Sequence, residues 1–419
     1  MAQTQKTDLM ALIAKIVAAA ARGKKGSAKS RALGADFIRA YFARVPFDDL
    51  RGAAPGDLAG QALSFLAFAG KRHAGKASVR IFNPDAKTHG WAGDHTVLEI
   101  VNDNMPFLVD SIIALINGRG LGVHLVIHPV LKVVRGKGGA LEQIGGAETA
   151  TDARHQLSES LIHVEIDRQL TEDEMVDLRK ALDGVLADVR AAVTDWMAMR
   201  GKITEIVREL GDNVAPGQSA EERSEVHDFL KWLDDDHFTF LGFRRYDFTQ
   251  RKETKDAHVV AGSGLGILRD PASRVFYADD SKLPRDVREI LEGGSTVSIS
   301  KANRRSTVHR PIHMDTIGIR IANAAGDITG EYRFVGLFTS HAYNLSPRFI
   351  PLLRRKIARA MTQAGFDASS HDGKALQHIL ETYPRDELFQ ISEEDLVENA
   401  LGILHLHERQ RTALFLRRD

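Results

Sequence analysis

The sequence predicts an α+β chain of tandem ferredoxin-like units, each a βαββαβ arrangement, with helical N-terminal and connecting segments. Three observations carry that reading. His95–Arg135 runs strand, polar turn, amphipathic helix and strand within about forty residues. A further strand, Glu159–Asp167, and a long helix follow it. A second set of strand-like runs (Phe238–Phe248, Val297–Lys301, Val308–Ile321 and Glu331–Ser340) then leads into a basic amphipathic helix, Pro347–Ala364.

Taken in order, the chain begins with three helices, Leu9–Arg22, Ala35–Arg44 and Asp57–Arg72, separated by Gly/Lys/Ser and Gly/Pro breaks. Val79–Asn83 reads as a short strand. His95–Val101 is rich in β-branched and apolar residues, and Asn102, Asp103 and Asn104 break its period. Pro106 suits a first helical turn, and Leu108, Ile112, Leu115 and Ile116 follow at helical spacing until Gly118–Gly120. Val123–Arg135 reads as one long strand, and Gly136–Asp152 as a hairpin-like excursion. Thr171 is placed to cap a helix that reaches Leu210. Gly211–Ser219 is rich in breakers and reads as a linker, with a short helix, His227–Asp234, after it. Asp372–Phe389 and Glu393–His407 read as helices, and Ala413–Arg418 as a strand.

Composition narrows the function. At 419 residues the chain has room for two or three domains. Lys plus Arg and Asp plus Glu both total 56, so the balance offers nucleic acid or an anionic membrane no electrostatic attraction. The absence of cysteine removes disulfides, thiolate nucleophiles and zinc–thiolate sites. The apolar run Leu9–Ala21 is interrupted by Lys15 and preceded by Asp8, so it reads as an amphipathic helix rather than a leader. The expected location is the cytoplasm, with no membrane and no nucleic-acid partner.

Each chemical candidate has a plainer competitor. Gly262, Gly264 and Gly266 lack the strand-to-helix context of a dinucleotide loop, because Ile267–Leu268 and Arg269-Asp270-Pro271 follow; a mobile loop is expected. His124/His128 and His309/His313 would each share a strand face, but a metal needs further ligands and Asp315 is the one evident addition. Structural or interface histidines are the expectation. The basic region Arg304, Arg305, Arg310, Arg320, Arg333, Arg348, Arg354 and Arg355 reads as intersubunit or interdomain salt bridging, and His309, Arg310, His313 and Arg333 as interface candidates. The turn Asn102, Asp103, Asn104 and Phe107 is the strongest ligand candidate, since backbone N–H groups at a helix start suit a carboxylate. The competing reading is that Asp103 or Asn104 caps the helix while Phe107 buries its ring against Val126 or a neighbouring unit. No catalytic, cofactor-binding or metal residue is assigned.

Val101–Ile112, His124–Arg135, Trp232–Phe248, Gly262–Arg269, Ser306–Ile319, Gly330–Asn344, Ile350–Met361, His371–Ile391 and Leu414–Asp419 together resemble the N-terminal region of the large bacterial NAD-specific glutamate dehydrogenases. The resemblance implies small ACT-type regulatory domains ahead of a catalytic domain outside this chain. It gives a helical segment 1–78, a first ACT-like domain 79–210, a linker 211–237, a second ACT-like domain 238–366, a helical connector 367–412 and the start of a third domain 413–419. It also implies NAD as cofactor of the whole enzyme but none in this chain. The implied partners are the catalytic domain and other subunits, with an amino acid as effector. Many amino-acid-binding ACT domains have Gly where Phe107 stands, which favours packing over ligand binding at this turn. The alternatives are a free-standing ACT-type amino-acid sensor, or an independent enzyme using the groups near Val308–Asp315.

Overall fold

The computed structural model describes all residues except 1–2, 24–26, 146–155, 170, 213–218, 252–253, 274–295, 324 and 407–419. The strand expected at Ala413–Arg418 and residues 213–218 of the expected linker therefore lie outside the described residues. The chain forms two compact units. One is Met1–Arg190 with Thr307–Pro311, and the other is Ala191–Ser306 with Ile312–Asp419.

The first unit opens with α1 (Gln3–Gly23), α2 (Ala28–Phe42) and α3 (Pro55–Ala69). Ser27 caps α2 by accepting from the Ser30 N–H, and Pro55 starts α3, where its missing N–H costs nothing. Ile16, Phe37, Phe42 and Phe65 are fully buried among these helices. An antiparallel sheet follows. It comprises β1 (Ser78–Phe82), β2 (Thr96–Asp103), β3 (Val123–Ile127), β4 (Val130–Arg135), β5 (Leu141–Ile144) and β6 (Gln156–Ile166). Two helices complete the unit's elements, α4 (Leu108–Gly118) after β2 and α5 (Glu172–Asp212) after β6. Thr171 and Glu174 close a reciprocal capping box at the start of α5.

The fold class is the one the sequence predicts, an α+β chain with ferredoxin-like antiparallel pairing. Two details differ. The long strand expected over Val123–Arg135 is broken at His128–Pro129, because proline cannot donate to the ladder. Both halves still run along β6, and the Pro129 carbonyl accepts from the Leu161 N–H. The edge beside β2 is supplied by β1, which precedes it in the chain.

Alternation gives this sheet two unlike faces. Leu98, Ile100, Ile162, Val164 and Ile166 make the buried apolar centre of one face, with the buried polar residues Thr96, Asn102 and Ser160 at its ends. Arg80, Glu99 and His163 stand opposite one another in register on the other, with Glu165 beside them and Asp103 and Glu159 one end along. Val101, Ile127, Leu131, Val133 and Leu161 fill that face between the charges and share a core with α1, α2 and α3. A ladder of ionisable groups is thus buried beneath the N-terminal helices.

The second unit, entered within α5, contains α6 (Ala220–Trp232), with Ser219 and Glu222 in a capping box. Its sheet is built from β7 (Phe238–Arg251), β8 (Thr254–Val259), β9 (Leu265–Gly266), β10 (Val297–Arg305), β11 (His313–Ala322) and β12 (Ile328–Phe338). The order is β10-β11-β12-β7-β8, with β9 beside β7 and every pairing antiparallel. A register shift in β7 near Leu241–Gly242 puts Phe238, Phe240 and Phe243 on one side with Phe334 and Phe338. A Cβ on Gly242 would stand 2.9 Å from both Leu268 and Val335, so the crowded bulge requires glycine.

Helices α7 (Leu353–Ala364), α8 (His371–Thr382) and α9 (Glu393–Leu404) join that aromatic core. The helix expected over Asp372–Phe389 ends at Thr382, because Pro384 follows and a new turn, Arg385–Gln390, begins. The strand expected over Val308–Ile321 starts only at His313, because His309 has φ +67° and Pro311 cannot donate.

Candidate functional site

The candidate turn lies between β2 and α4. Neither Asp103 nor Asn104 caps α4, contrary to the expectation. Phe107 occupies the N-cap position with φ 69° and ψ 0°, and no side chain caps it. The left-handed backbone there is strained for a residue with a Cβ. The half-buried Phe107 ring lies 5.1 Å from that of His309, and the His309 N–H donates to Ser111 Oγ at 2.9 Å. His309 also pairs with Asp110. These contacts are internal to the first unit, to which Thr307–Pro311 belongs.

The polar side chains of the turn are engaged elsewhere. Asp103 accepts from Arg72 Nη2 at 2.7 Å, Arg190 Nη1 at 2.8 Å and the Gly75 N–H at 2.9 Å. Burial works to raise the Asp103 carboxyl pKa, but these arginines outweigh it and hold it below its ordinary value. Asn104 Oδ1 accepts from Ser160 Oγ, and Asn102 Oδ1 accepts from Arg190. Asn102 is buried, and its Nδ2 has no hydrogen-bond partner.

Beyond Asp103 lies a charge cluster that the sequence reading missed. Glu159, fully buried, accepts from Arg72 Nη2 at 2.7 Å and Arg135 Nε at 2.6 Å. The spare donors of Arg72 reach the His73 and Lys76 carbonyls, and those of Arg135 reach Gly139 and Ala69. Every polar edge is matched, the condition under which a buried ion pair is tolerated. The signal was present in the strand ESLIHVEID, whose alternation places Glu159, His163 and Glu165 on one face.

The interface candidates are divided between the two units. His309 and Arg310 belong to the first unit, and His313 and Arg333 to the second. His313 is exposed and bonded to the Ala302 carbonyl. Arg333 is held by Glu331 and lies 4.8 Å from the Tyr246 ring centroid. Arg354 and Arg355 pair with Glu225, Asp228, Glu221 and Glu222. His124 pairs with Asp167 while His128 meets Ser160, so those histidines have separate partners. Among the described residues, no group of three or more His, Cys, Asp or Glu is arranged to hold a metal.

The glycine loop, expected to be mobile, carries side-chain bonds from two remote elements. Arg244, 1% exposed, donates to the carbonyls of Leu268, Asp270 and Ser273. Asp195 of α5 accepts from the Gly266 N–H and pairs with Arg269. The loop is pinned from two sides.

Comparison with known proteins assigns the class. Residues 37–182 match the family described as glutamate dehydrogenase, ACT1 domain, and residues 350–409 match glutamate dehydrogenase, helical motif 1. The chain is 37% identical to the NAD-specific glutamate dehydrogenase of Halomonas elongata over 91% of its own length and 24% of that protein's. The corresponding figures for the Pseudomonas aeruginosa enzyme of the same name are 36%, 91% and 23%, and for that of Mycobacterium tuberculosis 29%, 83% and 20%. The chain is similar to the N-terminal, ACT1-bearing part of the NAD-specific glutamate dehydrogenases, and it spans about a quarter of the length of the Halomonas and Pseudomonas relatives.

Proposed function

We propose that this chain is the regulatory and assembly region of an enzyme that converts L-glutamate, water and NAD to 2-oxoglutarate, ammonium and NADH. The catalytic groups and the NAD site are assigned to a domain outside it. The observation that carries this reading is where the ACT1 match falls. Residues 37–182 include the whole first sheet, whose carboxylates Asp103, partly exposed, and Glu159, fully buried, are each engaged by arginines of the same chain. A carboxylate cluster so matched suits a packing and signalling module rather than a reacting centre.

In this reading 79–210 and 238–366 act as two ACT-like domains, with 367–412 as a helical connector toward a third. The partners are the catalytic domain and further copies of the chain, in the cytoplasm. No described helix is long and apolar enough to cross a membrane. The Asn102–Phe107 turn serves packing first. An amino-acid effector there is favoured by one feature, the unpartnered buried Nδ2 of Asn102.

Sedimentation velocity over a range of concentrations, with thermal melts in millimolar glutamate, aspartate or arginine, tests both parts. Self-association with unchanged melting supports assembly and a packing turn. A monomer at every concentration contradicts the assembly role. A rise in melting temperature that an Asn102→Ala variant loses makes the turn an effector site.

A further inference from the structure

His163 lies on the charged face of β6 and is fully buried. Three aromatic rings enclose its imidazole, those of Tyr41, Phe65 and Trp91, with centroids 6.2, 6.3 and 6.3 Å away. Each neighbouring element contributes a group. From β2, Glu99 Oε1 is 3.4 Å from Nδ1, and from β6 itself Glu165 Oε1 is 3.3 Å from Nε2. From β1, Arg80 pairs with the far side of Glu99. From α2, the Tyr41 hydroxyl is buried without a partner, and β3 offers the uncharged Ile127. From α3, Gln61 places its amide nitrogen 2.8 Å from His163 Nε2.

Charge balance requires one protonation state and the amide requires the other. With His163 cationic, Arg80 and His163 neutralise Glu99 and Glu165. With His163 neutral, the two carboxylates share the permanent charge of the partly exposed Arg80. Yet an amide N–H directed at Nε2 fits the neutral ring, whereas the cation needs the Gln61 oxygen there. Burial opposes the charge on His163, but Glu165 and Glu99 outweigh it and raise its pKa above the ordinary histidine value. Solvent protons have a route in. Glu165 Oε2 is 3.2 Å from His95 Nδ1, and the His95 side chain is 36% exposed.

We propose that His163 and Gln61 form a proton-responsive latch between the N-terminal helical layer and the first sheet, set by the orientation of one amide. When the ring takes a proton from solvent through His95 and Glu165, Gln61 turns its oxygen to Nε2–H and α3 is held. When the proton leaves, Glu99 and Glu165 repel without a cation between them, and α3 loosens. Because the folded pKa is raised, the stabilisation is complete below the unfolded value near 6.5 and is lost as pH rises through the folded value.

The test uses the 419-residue chain with its histidines labelled at Cε1 for NMR, and hydrogen exchange of the Pro55–Ala69 peptide corrected for intrinsic rates. We expect His163 to titrate above the ordinary histidine range. Protection of α3 should fall through the same midpoint. His163→Gln and Gln61→Leu should both flatten that profile, and circular dichroism reports whether each folds. If His163→Gln does not fold, Gln61→Leu decides alone. Protection of α3 independent of pH, or a Gln61→Leu variant keeping the wild-type pH dependence, overturns the latch.

Discussion

In the first unit the buried arginines Arg72 and Arg135 close on the carboxylate of Glu159, whereas in the second Arg244 is held by the carbonyls of Leu268, Asp270 and Ser273. The two arrangements bury the same side chain by different means. A carboxylate balances the charge but makes each partner hostage to the other, since removing one leaves an uncompensated ion in low dielectric. Backbone carbonyls supply only dipoles, but they come from a loop that can turn toward water if the arginine is lost. The carboxylate cluster therefore fixes the inside of a sheet-and-helix layer, and the carbonyl cage fixes the course of a loop.

The largest expected effect separates these two designs. Glu159→Gln should destabilise the first unit by about 3–5 kcal/mol, the usual cost of breaking a buried pair. Arg244→Met should cost the second unit about 1–3 kcal/mol, the scale of lost hydrogen bonds whose partners can be rehydrated. Urea unfolding with a fluorescent probe in each unit measures both. An Arg244→Met cost equal to or above that of Glu159→Gln would break the comparison.

A smaller effect concerns a feature both units share. Each starts a helix from a non-glycine residue with positive φ, Phe107 before α4 and Leu352 before α7, both at 69°. Replacing either by Gly should leave the chain more stable than replacing it by Ala, by about 1 kcal/mol, because only the Ala variant keeps the strained Cβ. Thermal unfolding of the four variants checks this. Equal Gly and Ala variants at Phe107 would mean that its ring contact with His309, not its backbone, defines the turn.

How much of this was legible follows from period and chemistry. The β2-turn-α4 core of the first unit was plain, because Ile112 and Ile116 fall at helical spacing immediately after a β-branched strand. The strand break at Pro129 was signalled by the missing N–H, yet the alternation of Val123–Arg135 masked it. In FTFLGFRRYDF a strict period of two would set Phe243 opposite Phe238 and Phe240, and only the bulge at Leu241–Gly242 reunites them. The cap at Asp103 or Asn104 failed for a long-range reason. Arg72 and Arg190, 31 and 87 residues away, claim Asp103, and Ser160 claims Asn104. The pinned glycine loop was hidden in the same way, since Asp195 and Arg244 are remote from it in sequence. Local pattern reveals which residues can pair, and tertiary structure decides which do.

The central proposal is that this region regulates and assembles an enzyme whose chemistry lies elsewhere, and its most direct test is titration calorimetry of the purified chain with NAD alongside an NADH-formation assay with L-glutamate. The account predicts no saturable NAD binding and no NADH above the buffer control. Saturable binding, or turnover above buffer, would contradict it and place a catalytic or nucleotide site within these residues.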